Sequence, residues 1–500
     1  MQMCCADEDG FARSRARFEE TVGFLDGEGA AGLDHAELED RLDTDGRELL
    51  RLLYQDHLDL RAEREPRLEV VADVDGLSRP SVEAGHTRAL TTIFGEVSVT
   101  RLAYRRRGGH NLHPADGALN LPTERHSHGL RRRAATEASR GSFDDATSAI
   151  RSGAGPVIAK LQVEQLATRA SADFEAFYRA RSRPEAAAEE ALVISVDGKG
   201  IVMRPGALRP VTAKAAAGST TKLETRLSKG EKRNRKRMAE VGAVYTVTPA
   251  PRSGEDVIVG PGADRTRKAA PVATAKWLTA SVVDDAATVV AAVFDEAERR
   301  DPSRRCSWVA LVDGNNHQIN RIRAEAAERH VEISIVVDFI HVLEYLWRAA
   351  WSFHAEGDPA AEDWVSNKAL AVLAGKASIV AASVRRKATC LGLDGAQRAN
   401  ADRCADYLLN KAAYLDYPDA LAKGWPIASG VIEGACRHLI KDRMDITGAR
   451  WGLGGAEAVL KLRALRANGD FDTYWRFHLE QERRRVHESR YADNAIPLAA

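Results

Sequence analysis

Two apolar runs, each closed by Asp-Gly, constrain this chain more than any other feature. ALVISVDGKG occupies residues 191–200 and WVALVDGNNHQ residues 308–318. An unbroken run of β-forming residues reads as a strand covered on both faces, and such strands belong to sheets flanked by helices. The sequence around them alternates accordingly. Strands are expected at ALVISV (191–196), GIVMRP (200–205), VGAVYTVTP (241–249), SWVALV (307–312) and EISIVVDF (332–339). Amphipathic helices are expected at AATVVAAVFDEAERR (286–300) and HQINRIRAEAAERH (317–330). The fold class is α/β, with a mixed five-stranded sheet and flanking helices.

The remaining chain divides by composition. At 500 residues and 44% hydrophobic content, it is long enough for about two to four domains. Residues 1–66 form an N-terminal helical region, with Phe11, Phe18, Val22 and Leu25 at helical spacing. Residues 67–140 carry a β-hairpin in RALTTIFGEVSVTRLAY and a basic loop, YRRRGGHNLHPAD, whose His110 and His113 read as loop histidines. Residues 141–185 hold two helical segments split by Ser152-Gly153-Ala154-Gly155. Ser142 suits the first cap and Pro156 the second helix's first turn. The pattern fits a DNA-reading helix-turn-helix or a plain helical hairpin. The α/β core spans 191–339, an all-helical insertion 340–425, and a core helix with a C-terminal helical region 426–500.

Charge excludes little, because 72 basic residues balance 72 acidic ones. Cysteines 4, 5, 306, 390, 404 and 436 form no Cys-x-x-Cys pair, which argues against a zinc ribbon and a disulfide framework. The N-terminus MQMCCADEDG lacks the order of a signal peptide. No apolar stretch approaches the ~18 residues that a membrane span needs. A soluble, cytoplasmic, nucleoid-associated protein is expected, with no membrane partner.

Three strands in sequence, then helix, strand, helix, strand and a later helix, is the order of the ribonuclease-H-like fold. There the first and fourth strands are central neighbours, so Asp197 and Asp313 would emerge at one edge. Paired strand-end carboxylates suit Mg²⁺, which prefers hard oxygen ligands. SGVIEGACRHLIKDRM offers a third carboxylate: Ser429 suits an N-cap, and Glu433 falls in the first turn. Glu433, Arg437 and Lys441 share a helix face at i, i+4 and i+8. An exposed helix with an intrahelical Glu–Arg pair would look the same.

At this point the residues carry a resemblance. ISVDGKG, KGEKRNRKRMAEVGAVYTVTP, LVDGNNHQINRI, IVVDFIHVLEYLW and GWPIASGVIEGACRHLIKDRMDITGARWGLGGAEAVLKLRALRANGDFDTYW resemble DDE-type bacterial insertion-sequence transposases of the ISKra type, relatives of Mutator-like transposases. FGEVSVTRLAY and SFDDA match more loosely. The loop at 104–113 departs from some relatives in lacking cysteines. The resemblance implies Asp197, Asp313 and Glu433 as catalytic, metal-holding residues. It also implies two Mg²⁺ ions, with Mn²⁺ as a substitute. Asp338 and His341 match an Asp-x-x-His signature and would serve as auxiliary catalytic residues, such as orienting a metal ligand. A capping aspartate and a packed core histidine are the alternative.

KLETRLSKGEKRNRKR (222–237) is a basic run between two expected strands, and backbone neutralisation supplies much of DNA affinity. Lys232, Arg233, Arg235, Lys236, Arg237, Arg437 and Lys441 are the expected DNA contacts. Trp451, Trp475 and the run at 482–485 would add contacts or lie in a core. The expected function is binding of element terminal repeats and target DNA, strand cleavage and strand transfer, by a homodimer or higher oligomer on duplex DNA. A ribonuclease-H-like nuclease without strand transfer and an inactive DNA-binding repressor are the rivals.

Overall fold

The computed structural model describes residues 10–155, 158–218, 235–258, 267–446 and 448–497. Two compact units divide the chain: Met1–Ala180 with Gly469–Ala500, and Arg181–Asn468. This division cuts across residues 426–500, which the sequence presents as one region.

In the first unit, α1 (Ala12–Asp26) precedes the long α2 (His35–Glu63). The Asp34 side chain accepts from the Glu37 amide while Glu37 accepts from the Asp34 amide, a reciprocal cap that fixes the start of α2. The expected hairpin is present as antiparallel β1 (Ser81–Thr92) and β2 (Gly95–Arg105), with Thr92 opposite Gly95. Leu58 of α2 packs with Leu90, Val97, Val99 and Leu121. After a short helix at Pro114–Ala118 come α3 (His128–Arg140), α4 (Phe143–Ala154), α5 (Lys160–Ala170) and α6 (Phe174–Ala180). Ser142 caps α4 by accepting from the Asp145 amide at 3.0 Å. The second helix of the pair opens at Lys160; Pro156 lies outside the described residues. The helix Phe471–Val486 returns to this unit.

The second unit is a five-stranded mixed sheet with helices. Its strands are β3 (Ala191–Val202), β4 (Lys236–Val247), β5 (Ala273–Ser281), β6 (Ser307–Val312) and β7 (Ser334–Val337), in the order β5-β4-β3-β6-β7. The first three are antiparallel, and β6 and β7 add in parallel. Two strand expectations need correction. ALVISV and GIVMRP are one strand, because β4 pairs with β3 straight through Asp197 and Gly198 to Val202. The third antiparallel strand is instead ATAKWLTAS (273–281). Its outer half is exposed at Thr274 and Lys276, so this edge strand lacks the apolar run that marks a central one.

Helices α7 (Ala286–Arg300) and α8 (Asn316–Glu328) pack on one face of the sheet. Gly242 of β4 allows that contact: a Cβ there would lie 2.4 Å from the Val293 side chain. The expected insertion is helical, comprising α9 (Phe339–Ala350), α10 (Pro359–Leu373), α11 (Ala377–Cys390) and α12 (Gly395–Asn410). The chain then crosses the other face of the sheet with the short α13 (Gly430–Ala435) and α14 (Leu453–Ala467). Among the described residues no helix is long and apolar enough to cross a membrane, and Cys306, Cys390, Cys404 and Cys436 are free thiols.

Candidate active site at the edge of the central strands

The parallel ladder between β3 and β6 places Ile194 opposite Ala310. Continued three residues further, that register would bring Asp197 level with Asp313, on one face, because laterally paired residues of neighbouring strands share a face. Parallel neighbours lie about 4.8 Å apart. Asp313 stands directly after β6. Asp197 does not stand where its strand ends, since it pairs with Val241 of β4. The ladder to β6 ends three residues earlier, at Ile194.

Each carboxylate is held by local donors. Asp197 Oδ1 accepts from the Gly198 amide at 2.7 Å, and Oδ2 accepts from the Cys436 thiol at 3.2 Å. Burial and the negative Asp197 push that thiol's pKa well up, so it stays protonated and able to donate. Asp313 Oδ1 accepts from the Asn315 amide at 2.7 Å. Its carbonyl accepts from the Tyr407 hydroxyl at 3.2 Å, and Tyr407 stacks on Tyr345 with centroids 3.9 Å apart. Gly314 must be glycine: its φ is +90°, and a Cβ would lie 2.8 Å from the Tyr407 oxygen.

Glu433 sits in α13 with an exposed side chain. Partial burial of the carboxyl raises its pKa first, and Asp338 adds to this, as do Glu344 and Asp197, against the opposing His341. Among the described residues, Asp338, His341 and Glu433 bring metal-ligand atoms within 4.8 Å of one another. Asp197 and Asp313 are not in that group.

Asp338 is wholly buried. It caps α9 by accepting from the Ile340 amide at 2.7 Å. Its other oxygen accepts from the Ser429 amide at 2.9 Å and from the Ser429 hydroxyl. Ser429 therefore does not cap α13 with its side chain, as the sequence suggested; the hydroxyl turns to Asp338 instead. His341 is half-buried, with Nδ1 3.8 Å from Glu344.

After Ala435 the helix widens into a π turn, Cys436–Lys441. Arg463 of α14 meets it, its Nε donating to the carbonyls of His438 at 2.9 Å and Leu439 at 3.0 Å. Cys436 thereby faces inward, while Glu433, Arg437 and Lys441 all remain exposed. Arg437 approaches Asp442 at 3.8 Å.

Of the expected DNA contacts in the basic run, Lys232 and Arg233 lie outside the described residues. Arg235 is half-buried and Lys236 exposed. Arg237 has a structural task, donating to the carbonyls of Val282 at 2.7 Å and of Ala207 and Val283 at 3.4 Å. Lys236 and Arg237 line a cavity of about 420 Å³ with Arg209, Glu240, His317 and Arg321. Trp451 and Trp475 are buried, Trp451 donating to the Met444 carbonyl at 3.1 Å.

Cys436, Ser429 and Tyr407 hold the site; sequence reasoning assigned Ser429 only a capping role and Cys436 and Tyr407 none. Cys436 and Ser429 lie within the quoted stretch around Glu433, but only the fold aims them. Tyr407 is 94 residues from Asp313 and carries no local signal. A scan against models of protein families finds no match, and a search of curated proteins finds no similar sequence.

Proposed function

We propose that the second unit is a ribonuclease-H-like catalytic domain and that the chain is a DDE-type transposase. One observation carries this reading: the parallel register of β3 and β6, which, continued three residues beyond Ile194 and Ala310, brings Asp197 level with Asp313. The strand order, two neighbours on the antiparallel side of β3 and two on the parallel side, supports it.

The donor set fits a hard divalent cation. Asp197, Asp313 and Glu433 would hold it through carboxylate oxygens, and Asp313 Oδ2 has no donor among the described residues. A pair of Mg²⁺ ions supplies polarisation of the attacking and leaving oxygens of a phosphodiester. This chain's residues aim those carboxylates. The Gly198 amide holds Asp197 Oδ1, and Asn315 and Tyr407 fix the Asp313 turn. Exposed Lys236, Arg437 and Lys441 offer cations to DNA phosphates. On this reading the protein binds terminal repeats, frees a 3′-hydroxyl by hydrolysis and joins it to target DNA. The test is purified protein with Mg²⁺ and labelled element ends, assayed for nicking and joining. Nicking without joining would leave a nuclease, and end-binding with neither would leave a repressor.

A further inference from the structure

The gathering of Asp338, His341 and Glu433 resembles a ligand set, but the bonding of Asp338 says otherwise. An ionised carboxylate offers about four lone-pair positions. Asp338 has filled three with protein donors: the Ile340 amide, the Ser429 amide and the Ser429 hydroxyl. A buried carboxylate without such donors would be costly, and the N-terminus of α9 adds a favourable dipole. The residue's needs are met inside the protein.

Those donors come from different parts of the chain. The Asp338 amide donates to the Val312 carbonyl at 2.7 Å, the residue directly before Asp313. Its side chain starts α9 and grips Ser429, where the Glu433 helix begins. The neighbouring Phe339 amide donates to the Ile427 carbonyl at 2.8 Å, and the Tyr417 hydroxyl to the Val337 carbonyl at 2.9 Å. One residue thus ties the Asp313 strand end to the Glu433 helix start.

We propose that Asp338 is a positioning residue, a buried latch that sets Glu433 against Asp313, and that it is not a ligand of the cation. The latch itself rests on hydrogen bonds; its consequence for cation binding rests on the proposed function above. Ser429 is its second half, a role that the ligand reading gives it no reason to have.

The experiment compares the full chain with Asp338→Ala, Asp338→Asn, Ser429→Ala and, as a ligand control, Glu433→Gln. Mn²⁺ binding is read by calorimetry, and amide exchange is read over residues 427–435. The latch predicts that Ser429→Ala weakens Mn²⁺ binding roughly 5-fold and Asp338→Ala more, as expected for loss of hydrogen bonds to a charged group. Both should speed exchange at the start of α13. Asp338→Asn should be partly rescued, because the amide still accepts from Ile340 and can donate to the Ser429 oxygen. A ligand role predicts the reverse: Ser429→Ala like the parent, and Asp338→Asn as damaging as Asp338→Ala, since an amide is a poor Mg²⁺-type ligand. That result overturns the proposal. Should Asp338→Ala fail to fold, Ser429→Ala decides alone. Should the parent bind no Mn²⁺, the proposed function fails, while unchanged exchange in Ser429→Ala would separately sink the latch.

Discussion

Asp197→Asn and Asp313→Asn keep side-chain shape but replace a hard anionic ligand with an amide. Each should abolish strand cleavage while far-UV circular dichroism and DNA binding stay near the parent. Cleavage at the parent rate by either variant would reject the assignment. Cys436 supports a subtler expectation. Its thiol occupies Asp197 Oδ2, so it competes with a cation for that oxygen. Cys436→Ala should lower the Mg²⁺ concentration for half-maximal cleavage by roughly 10-fold, the lower end for one hydrogen bond to a charged group. A higher requirement would mean that the thiol instead orients Asp197 productively. Asp313 was legible as a strand-end carboxylate because Asp-Gly after a buried run is a local pattern, whereas Asp197 lies within β3. The thiol's role was not, because it depends on how a helix more than 200 residues later is rotated.

At the scale of elements, β4 shows how closely the layers fit. Gly242→Ala would drive a methyl group into Val293 of α7, and overpacking of this kind costs about 1–3 kcal/mol. Denaturant unfolding should show that loss, and adding Val293→Ala should recover part of it. The strand's entry gives a contrast between neighbouring cations. Lys236→Ala should flatten the slope of log DNA affinity against log salt by up to about 0.9. Arg237→Ala should leave the slope nearly unchanged and cost roughly 1–2 kcal/mol of stability, because it removes bonds to backbone carbonyls. A full slope change for Arg237→Ala would restore that residue to the DNA surface.

At the scale of the whole molecule, the first unit is closed by its last helix through buried charge. Asp173 accepts from His478 at 2.6 Å and from Arg485 at 2.9 Å. Arg131, fully buried, bonds to Glu124 at 2.9 Å and to Glu482 at 3.0 Å. Burial alone would raise the Asp173 pKa, but the bonds from His478 and Arg485 outweigh it and hold the group at about 2. A depressed carboxylate stabilises the fold fully above its unfolded pKa and loses that contribution as pH falls through its folded value. The stability carried by Asp173, on the order of 2 kcal/mol, should therefore disappear between about pH 4 and about pH 2. Unfolding followed across that range should show Asp173→Asn losing the acid-dependent part; a parent and variant with parallel pH profiles would remove Asp173 as its source.

By itself the sequence determined what local periodicity can encode. Apolar runs at 191–196 and 307–312 announced central strands, and the span 340–425 announced helices. Tertiary structure decided what depends on partners distant in the chain. It fused GIVMRP into β3 through pairing with β4, and it made an edge strand of ATAKWLTAS, whose mixed polarity carries no strand signal. It also turned Ser429 from a cap into a donor to Asp338, because the two meet across 91 residues of chain. Periodicity reports the faces of an element, whereas register, edge position and hydrogen-bond partners are settled only when elements meet.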